Sequence, residues 1–120
     1  MSQRDGLSPR IKPVSARKSA ILSALDVGTS KVVCLIARLD PMEQSDTLRG
    51  RTHRMRVLGI GHQRSRGLKG GVVVDLEEAE RAVRLAVDAA ERMAGVHVES
   101  TIVNITGGRL ASRHFAGAVN

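Results

Sequence analysis

The sequence has no tryptophan, no tyrosine and a single phenylalanine, Phe115. Binding of single-stranded nucleic acid by stacking bases on aromatic platforms is therefore nearly excluded. Cys34 is the only cysteine, so no internal disulfide can form, and no Cys/His cluster has zinc spacing. A reducing cytoplasm fits this usage. The histidines at 53, 62, 97 and 114 are scattered and read as surface residues rather than ligands. No apolar run approaches the roughly 18 residues needed to cross a bilayer, and no apolar stretch follows the basic N-terminus as in a secretory signal. These residues are expected to be neither secreted nor membrane-spanning. Acid is missing locally: residues 49–69 carry Arg49, Arg51, Arg54, Arg56, Arg64, Arg66 and Lys69 with no Asp or Glu.

What is present suits one core. A chain of 120 residues is an ordinary single-domain length, and its 42% hydrophobic content is mostly aliphatic. The formal charge of +7 is concentrated in the block 49–69 and in residues 1–19, where Arg4, Arg10, Lys12, Arg17 and Lys18 face only Asp5. Such blocks attract phosphates, nucleic acid or anionic lipid, or simply keep arms and loops solvated. Residues 1–19 lack apolar periodicity and read as a disordered basic arm.

The fold begins near residue 20. Ile21–Val27 and Val32–Leu39 read as strands, the second apolar on both faces like a central strand. Only Gly28–Lys31 separates them, which dictates an antiparallel hairpin, because parallel neighbours need a crossover of about a dozen residues. Residues 40–55 read as a long polar loop. Val57–Gly61, "VLGIG", reads as a third strand whose glycines mark a bulge or a close approach of backbone. "HQRSRGLKGG" reads as a loop. Asp75 then stands as an N-cap with Glu78 three residues on, and Gly95 as the stop of a helix over 75–94. Leu76, Ala79, Val83, Ala86, Val87, Ala90, Met93 and Ala94 recur at helical spacing, so that stripe is expected to lie on the sheet. "TIVNIT", 101–106, reads as a strand ended by Gly107 and Gly108. The order is β-β-β-α-β, an α/β class. The segment after Gly108 begins an alternation and stops with no closing element, so the chain is expected to be cut short.

The turn itself, "DVGTSK", carries more chemistry than a reversal requires. Gly28 permits unusual torsions and close approach of a ligand to backbone amides. Thr29 and Ser30 offer hydroxyls, Lys31 a cation, and Asp26 a carboxylate able to hold hydrated magnesium. The alternative is an ordinary turn with solubilising charges. It is neither a P-loop nor a dinucleotide fingerprint, since G-x-x-x-x-G-K-[ST] and a strand-to-helix G-x-G-x-x-G are both lacking. Ser65-Arg66-Gly67 admits a plain loop reading and, equally, a contact to the cleft or a neighbouring subunit. Cys34, within an apolar strand, reads as a small core hydrophobe.

"ALDVGTSKVVCLIARL" resembles the first phosphate loop of actin-like ATPases. "VLGIGHQRSRGLKGGVVVDLEEAERAVRLAVDAAERMAG" followed by "VNITGGRLAS" resembles the N-terminal part of the FtsA family of bacterial actin-like cell-division proteins, over about residues 20–120. The resemblance implies a ribonuclease-H-like, actin-type ATPase fold, incomplete in this chain. Residues 20–108 would be the N-terminal part of subdomain 1A, and 109–120 the start of the family-specific subdomain 1C. It implies ATP and magnesium as cofactors, with Asp26, Gly28, Thr29, Ser30 and Lys31 as the phosphate loop, magnesium held by Asp26 through water, and no catalytic residue carried over. It further implies an adaptor at the cytoplasmic face of the inner membrane at the division site. There it would self-associate into actin-like polymers, tether FtsZ filaments and meet other divisome proteins through subdomain 1C. At most weak ATPase activity would accompany this role. The second phosphate loop, the adenosine loop and the amphipathic C-terminal membrane helix are not among these 120 residues, and the 40–56 insertion has no counterpart. A small-molecule kinase of the same superfamily and a basic nucleic-acid-binding module stand as alternatives.

Overall fold

The computed structural model describes residues 13–43 and 50–105. Three strands run consecutively, β1 (Ala20–Val27), β2 (Lys31–Pro41) and β3 (His53–Arg64). A short antiparallel hairpin of β4 (Leu68–Lys69) and β5 (Val72–Val73) follows, then helix α1 (Leu76–Ala94) and strand β6 (Ile102–Ile105). The main sheet has the order β3-β2-β1-β6. β2 is antiparallel to both neighbours, and β6 lies parallel to β1. This mixed α/β arrangement follows the β-β-β-α-β order read in the sequence, with β4–β5 as an addition. Residues 62–71 were expected to be loop throughout. Instead His62–Arg64 extends β3, and the positive φ of Gly70 and Gly71 turns two short flanking segments into a hairpin.

Strands β2 and β3 extend further than apolar content suggests. β2 continues through Asp40 and Pro41, and β3 starts at His53, so the polar connection shrinks to residues 42–52 and is closed by Met42 N–H donating to the Thr52 carbonyl at 3.0 Å. Charge pairing supports the polar ends. Asp40 lies 2.9 Å from Arg38 Nε and 3.8 Å from Arg56, and it accepts from the Ser19 hydroxyl at 3.3 Å. Burial pushes the Asp40 carboxyl up, but the Arg38 hydrogen bond and charge, Ser19 and Arg56 outweigh it and hold the group below its ordinary pKa. At the end of the segment expected to be a basic arm, 1–19, two backbone contacts are made. Lys18 N–H closes a turn on the Ser15 carbonyl, and the Lys18 carbonyl bonds His53 Nε2 at 3.0 Å. Residues 1–12 lie outside the described residues, as do Gly107, Gly108 and the segment 109–120.

Helix α1 is set by its ends. Asp75 is the N-cap, its Oδ1 accepting from Glu78 N–H at 3.1 Å, and Glu77 and Glu78 face the positive end of the helix dipole. At the other end Gly95 takes φ 69° and donates to the Glu91 carbonyl at 2.8 Å. The expected stripe meets the sheet through its middle, with Ala82 added and its two end residues, Leu76 and Met93, left out. Ala79, Ala82, Ala86 and Ala90 are buried, Val83 and Val87 are half-buried, and Leu76 and Met93 are 72% and 66% exposed.

Gly59 and Gly61 in β3 explain the alanine face. A Cβ on Gly61 would stand 1.7 Å from the Ala86 carbonyl oxygen, and one on Gly59 would stand 2.2 Å from that of Ala90. Helix backbone therefore lies directly on strand backbone, and only methyl-sized side chains fit between them. Both meanings proposed for these glycines are realised, since the β2–β3 register also shifts at Ile36/Ala37, opposite Leu58. α1 packs over β3 and β2, where Val32, Cys34 and Ile36 are almost wholly buried. Burying the two aliphatic side chains contributes about 1.5–3 kcal/mol each. Cys34 is the small core residue expected, its thiol pKa raised by burial, partly offset by Ser23. No helix among the described residues is long and apolar enough to cross a membrane.

Candidate phosphate-binding turn

Residues Gly28–Ser30 join β1 to β2 at the end of the sheet where β6 also terminates, since Val27 pairs with Val32 on one side and Ile105 on the other. Gly28 N–H donates to the Lys31 carbonyl at 3.0 Å. The reciprocal bond of a tight two-residue hairpin, Lys31 N–H to the Gly28 carbonyl, is not among the backbone bonds of the described residues, and 29–30 form a bend. The reversal is thus open on one side. Thr29, Ser30 and Lys31 are exposed.

The reason for glycine differs from the torsional one expected. Gly28 is absent from the positive-φ glycines. Space constrains it instead: a Cβ would come within 3.0 Å of the Lys31 carbonyl oxygen. A methyl there would also narrow the approach of any ligand to the bend.

Asp26 is the last but one residue of β1 and sits between Val33 of β2 and Asn104 of β6. Strand alternation puts Leu25, Val27, Val32 and Cys34 toward α1 and so places Asp26, Lys31, Val33 and Asn104 on the opposite face. Asp26 is exposed, and its Oδ1 accepts from Asn104 Nδ2 at 2.9 Å. An ionised carboxylate has further lone pairs beyond that bond, so metal-bound waters still have acceptor sites. His62 and Arg64 pair with Val33 and Lys31, which brings two more polar side chains to this face. The five residues expected to form a site are therefore brought to one end and, for Asp26 and Lys31, one face of the sheet.

Two participants were not found from sequence. Asn104 was read only as part of a strand, although a carboxamide between two isoleucine-bearing positions in "TIVNIT" was a signal. Ser65 was left between two readings, and the structure joins it to the turn: its N–H donates to the Ser30 carbonyl at 3.0 Å. Its Oγ is buried and has no hydrogen-bond partner among the described residues. Gly67, two residues on, has φ 77°, and its carbonyl accepts from Val74 N–H at 2.8 Å and Asp75 N–H at 3.1 Å. A Cβ there would stand 2.1 Å from the Asp75 carbonyl oxygen. The segment from Ser65 to Gly67 is consequently fixed at both ends, to the turn and to the N-terminus of α1.

Arg64, Arg66 and Arg81 line a groove of about 190 Å³ beside this segment, with Gln63, Glu78, Ala82 and Leu85 completing its lining. No group of three or more metal-capable side chains exists among the described residues. A magnesium ion at the turn would therefore depend on Asp26, on water and on a bound phosphate, which is the coordination that magnesium commonly adopts.

No family model matches the chain. Individual proteins do. The chain is 54% identical over 112 residues to the cell division protein FtsA of Agrobacterium fabrum, an alignment that covers 93% of this chain and 25% of that protein. It is 53% identical over 112 residues to the FtsA of Rhizobium meliloti, with the same coverage of each. The similarity extends to the FtsA of Pseudomonas aeruginosa, 37% identical over 105 residues, covering 88% of this chain and 23% of that one. The chain spans about a quarter of the length of these curated relatives. By sequence, the chain matches a fragment of the cell division proteins named FtsA in several bacteria.

Proposed function

We propose that this chain supplies the first phosphate-binding turn of an actin-like, ATP-binding cell-division adaptor, one that assembles at the division site and tethers FtsZ filaments to the cytoplasmic membrane. The observation that carries the reading is the similarity to FtsA proteins over 93% of the chain. Two structural features support it. The strand order and directions suit the start of a ribonuclease-H-like sheet, with three antiparallel strands and a fourth returning parallel to β1 after a helix. The turn presents Thr29, Ser30 and Lys31 beside a carboxylate that is oriented by Asn104.

The residues suit the group they would hold. ATP with magnesium would supply a triphosphate whose charge is shared between the metal and the protein. Lys31 would place a cation against phosphate oxygens, the hydroxyls of Thr29 and Ser30 and the backbone amides of the bend would donate to them, and Asp26 would accept from metal-bound water. Membrane attachment, FtsZ contact and polymer formation involve surfaces of the longer protein, and this chain would take part through the nucleotide site.

Titration of magnesium-ATP into a protein of the relatives' full length carrying these residues tests the reading. Asp26→Ala and Thr29→Ala should each weaken binding by about 1–3 kcal/mol while the fold is retained. Wild-type affinity in both variants would return Gly28–Lys31 to the role of a plain turn.

A further inference from the structure

We infer that Ser65-Arg66-Gly67 is a positioning strap, in which the Ser65 amide holds the Ser30 carbonyl so that the Lys31 N–H points into the bend as a donor to phosphate. The inference rests on the phosphate reading of the turn and adds to it the residue that orients one of its amides.

The geometry begins with peptide planarity. The chain has no cis peptide among its described residues, so the Ser30 carbonyl and the Lys31 N–H lie in one plane and point in opposite directions. Fixing one fixes the other. Ser65 N–H takes the Ser30 carbonyl on the β3 side of β2, at 3.0 Å. The Lys31 N–H is therefore directed away from β3, toward the interior of the bend. There it does not close on the Gly28 carbonyl. A closed two-residue turn would make that bond, whereas a reversal that lacks it is open. The strap keeps the reversal open and leaves an oriented donor in it.

The strap is itself held in place by backbone contacts. Gly67 lies so close to α1 that its missing Cβ would fall 2.1 Å from the Asp75 carbonyl oxygen and 2.8 Å from Ala79 N. Its carbonyl accepts both Val74 N–H and Asp75 N–H, and Asp75 in turn caps Glu78. The N-terminus of the helix, the strap and the turn thus form one hydrogen-bonded sequence. Ser65 Oγ does not take part, so the amide carries the role and the hydroxyl is dispensable to it.

Three variants in the full-length protein separate these contributions. Ser65→Pro removes the N–H, and the preceding Arg64 is already in a strand, the conformation that a following proline favours. Ser65→Ala keeps the N–H and removes the hydroxyl. Asp26→Ala reports on the phosphate reading independently. Hydrogen exchange at 29–31, magnesium-ATP affinity and thermal unfolding are measured for each.

Ser65→Pro should let the Lys31 N–H close on the Gly28 carbonyl, slowing its exchange, and weaken magnesium-ATP by about three- to tenfold, whereas Ser65→Ala should match the wild type in both. If Asp26→Ala weakens binding but Ser65→Pro does not, the strap is overturned and the phosphate reading stands. If Ser65→Ala is as damaging as Ser65→Pro, the amide is not the operative group and the inference fails. If neither Asp26→Ala nor Ser65→Pro changes binding, the phosphate reading fails and takes this inference with it. Should Ser65→Pro not fold, replacing the Ser65 amide by an ester removes the same N–H without the ring, and the same outcomes apply.

Discussion

Gly61→Ala should be among the most damaging single-methyl changes available in this chain. The added Cβ would stand 1.7 Å from the Ala86 carbonyl oxygen, 2.7 Å from its carbonyl carbon and 2.9 Å from Ala90 N. Ordinary carbon–oxygen approach is about 3.3 Å, so α1 must lift by roughly 1.5 Å. All three contacts are backbone, so no rotamer change relieves them. A gap of 0.5–1 Å already forfeits a quarter to a half of a dispersion contact, and the whole alanine face would open by more than that. Overpacking costs about 1–3 kcal/mol, and this site belongs at the upper end because nothing flexible can yield. Restricting the unfolded chain offsets about 0.4–1 kcal/mol. The net loss is about 2–3 kcal/mol, or a fall in Tm of about 10–20 °C for a domain of this size. Urea unfolding followed by far-UV circular dichroism measures it, with a lower midpoint and an unchanged slope expected. Gly59→Ala should act in the same direction, and the double variant should lose less than the sum, because a helix already lifted accommodates the second methyl. A Gly61→Ala midpoint equal to wild type would refute the backbone-on-backbone packing of α1.

Two further outcomes follow from α1. Leu76→Ser and Met93→Ser should each change stability by no more than about 0.5 kcal/mol in the same urea assay, because both side chains are mostly exposed, whereas a core stripe containing them would lose several times that. Glu91 accepts Val98 N–H at 2.6 Å and lies 3.4 Å from His97 Nδ1, and the Val98 bond, with help from His97 and against a burial effect, lowers its pKa. A carboxyl with a lowered folded pKa adds stability that is complete above its unfolded pKa of about 4.3 and is lost as pH falls through the folded value. Glu91→Gln should therefore flatten the acid limb of stability against pH, and an unaltered limb would show that the bond contributes nothing.

The parts of the fold legible in the sequence are those governed by neighbours in the chain. Asp75, Glu78 and Gly95 locate α1 within a residue at each end, because capping is decided over three or four positions. The short Gly28–Lys31 connection dictates an antiparallel pair for the same reason. Side-chain size misled the reading only at the ends of the stripe: Leu76 and Met93 continue it at helical spacing yet stay exposed, whereas the small Ala82 is buried where α1 lies close on the sheet. Gly59 and Gly61 were noticed, but the partner they approach is about 30 residues away and cannot be read locally. Polar strand ends were likewise missed, since Asp40 is stabilised in the sheet by Arg38 and by Arg56 across the strand pair. Within the candidate site, Asp26 and 28–31 were readable as a contiguous motif. Asn104 and Ser65 were not, because what matters in them is which distant group they face.

The hydrogen bond between Asp26 and Asn104 joins residues separated by 78 positions, whereas the turn beside it closes within four. A peptide of residues 20–41 would contain both strands of the hairpin and every residue of the phosphate motif, yet its carboxylate would have no carboxamide to orient it. Closing the longer loop costs more chain entropy than closing the turn, and the β1–β6 pairing, the Ser23–Thr101 hydrogen bond and the packing of Val96 and Val98 compensate for it. The proposed phosphate motif is thus contiguous in sequence, yet the orientation of its carboxylate depends on the arrival of the last strand, and any fragment ending before residue 102 lacks the Asn104 that fixes it.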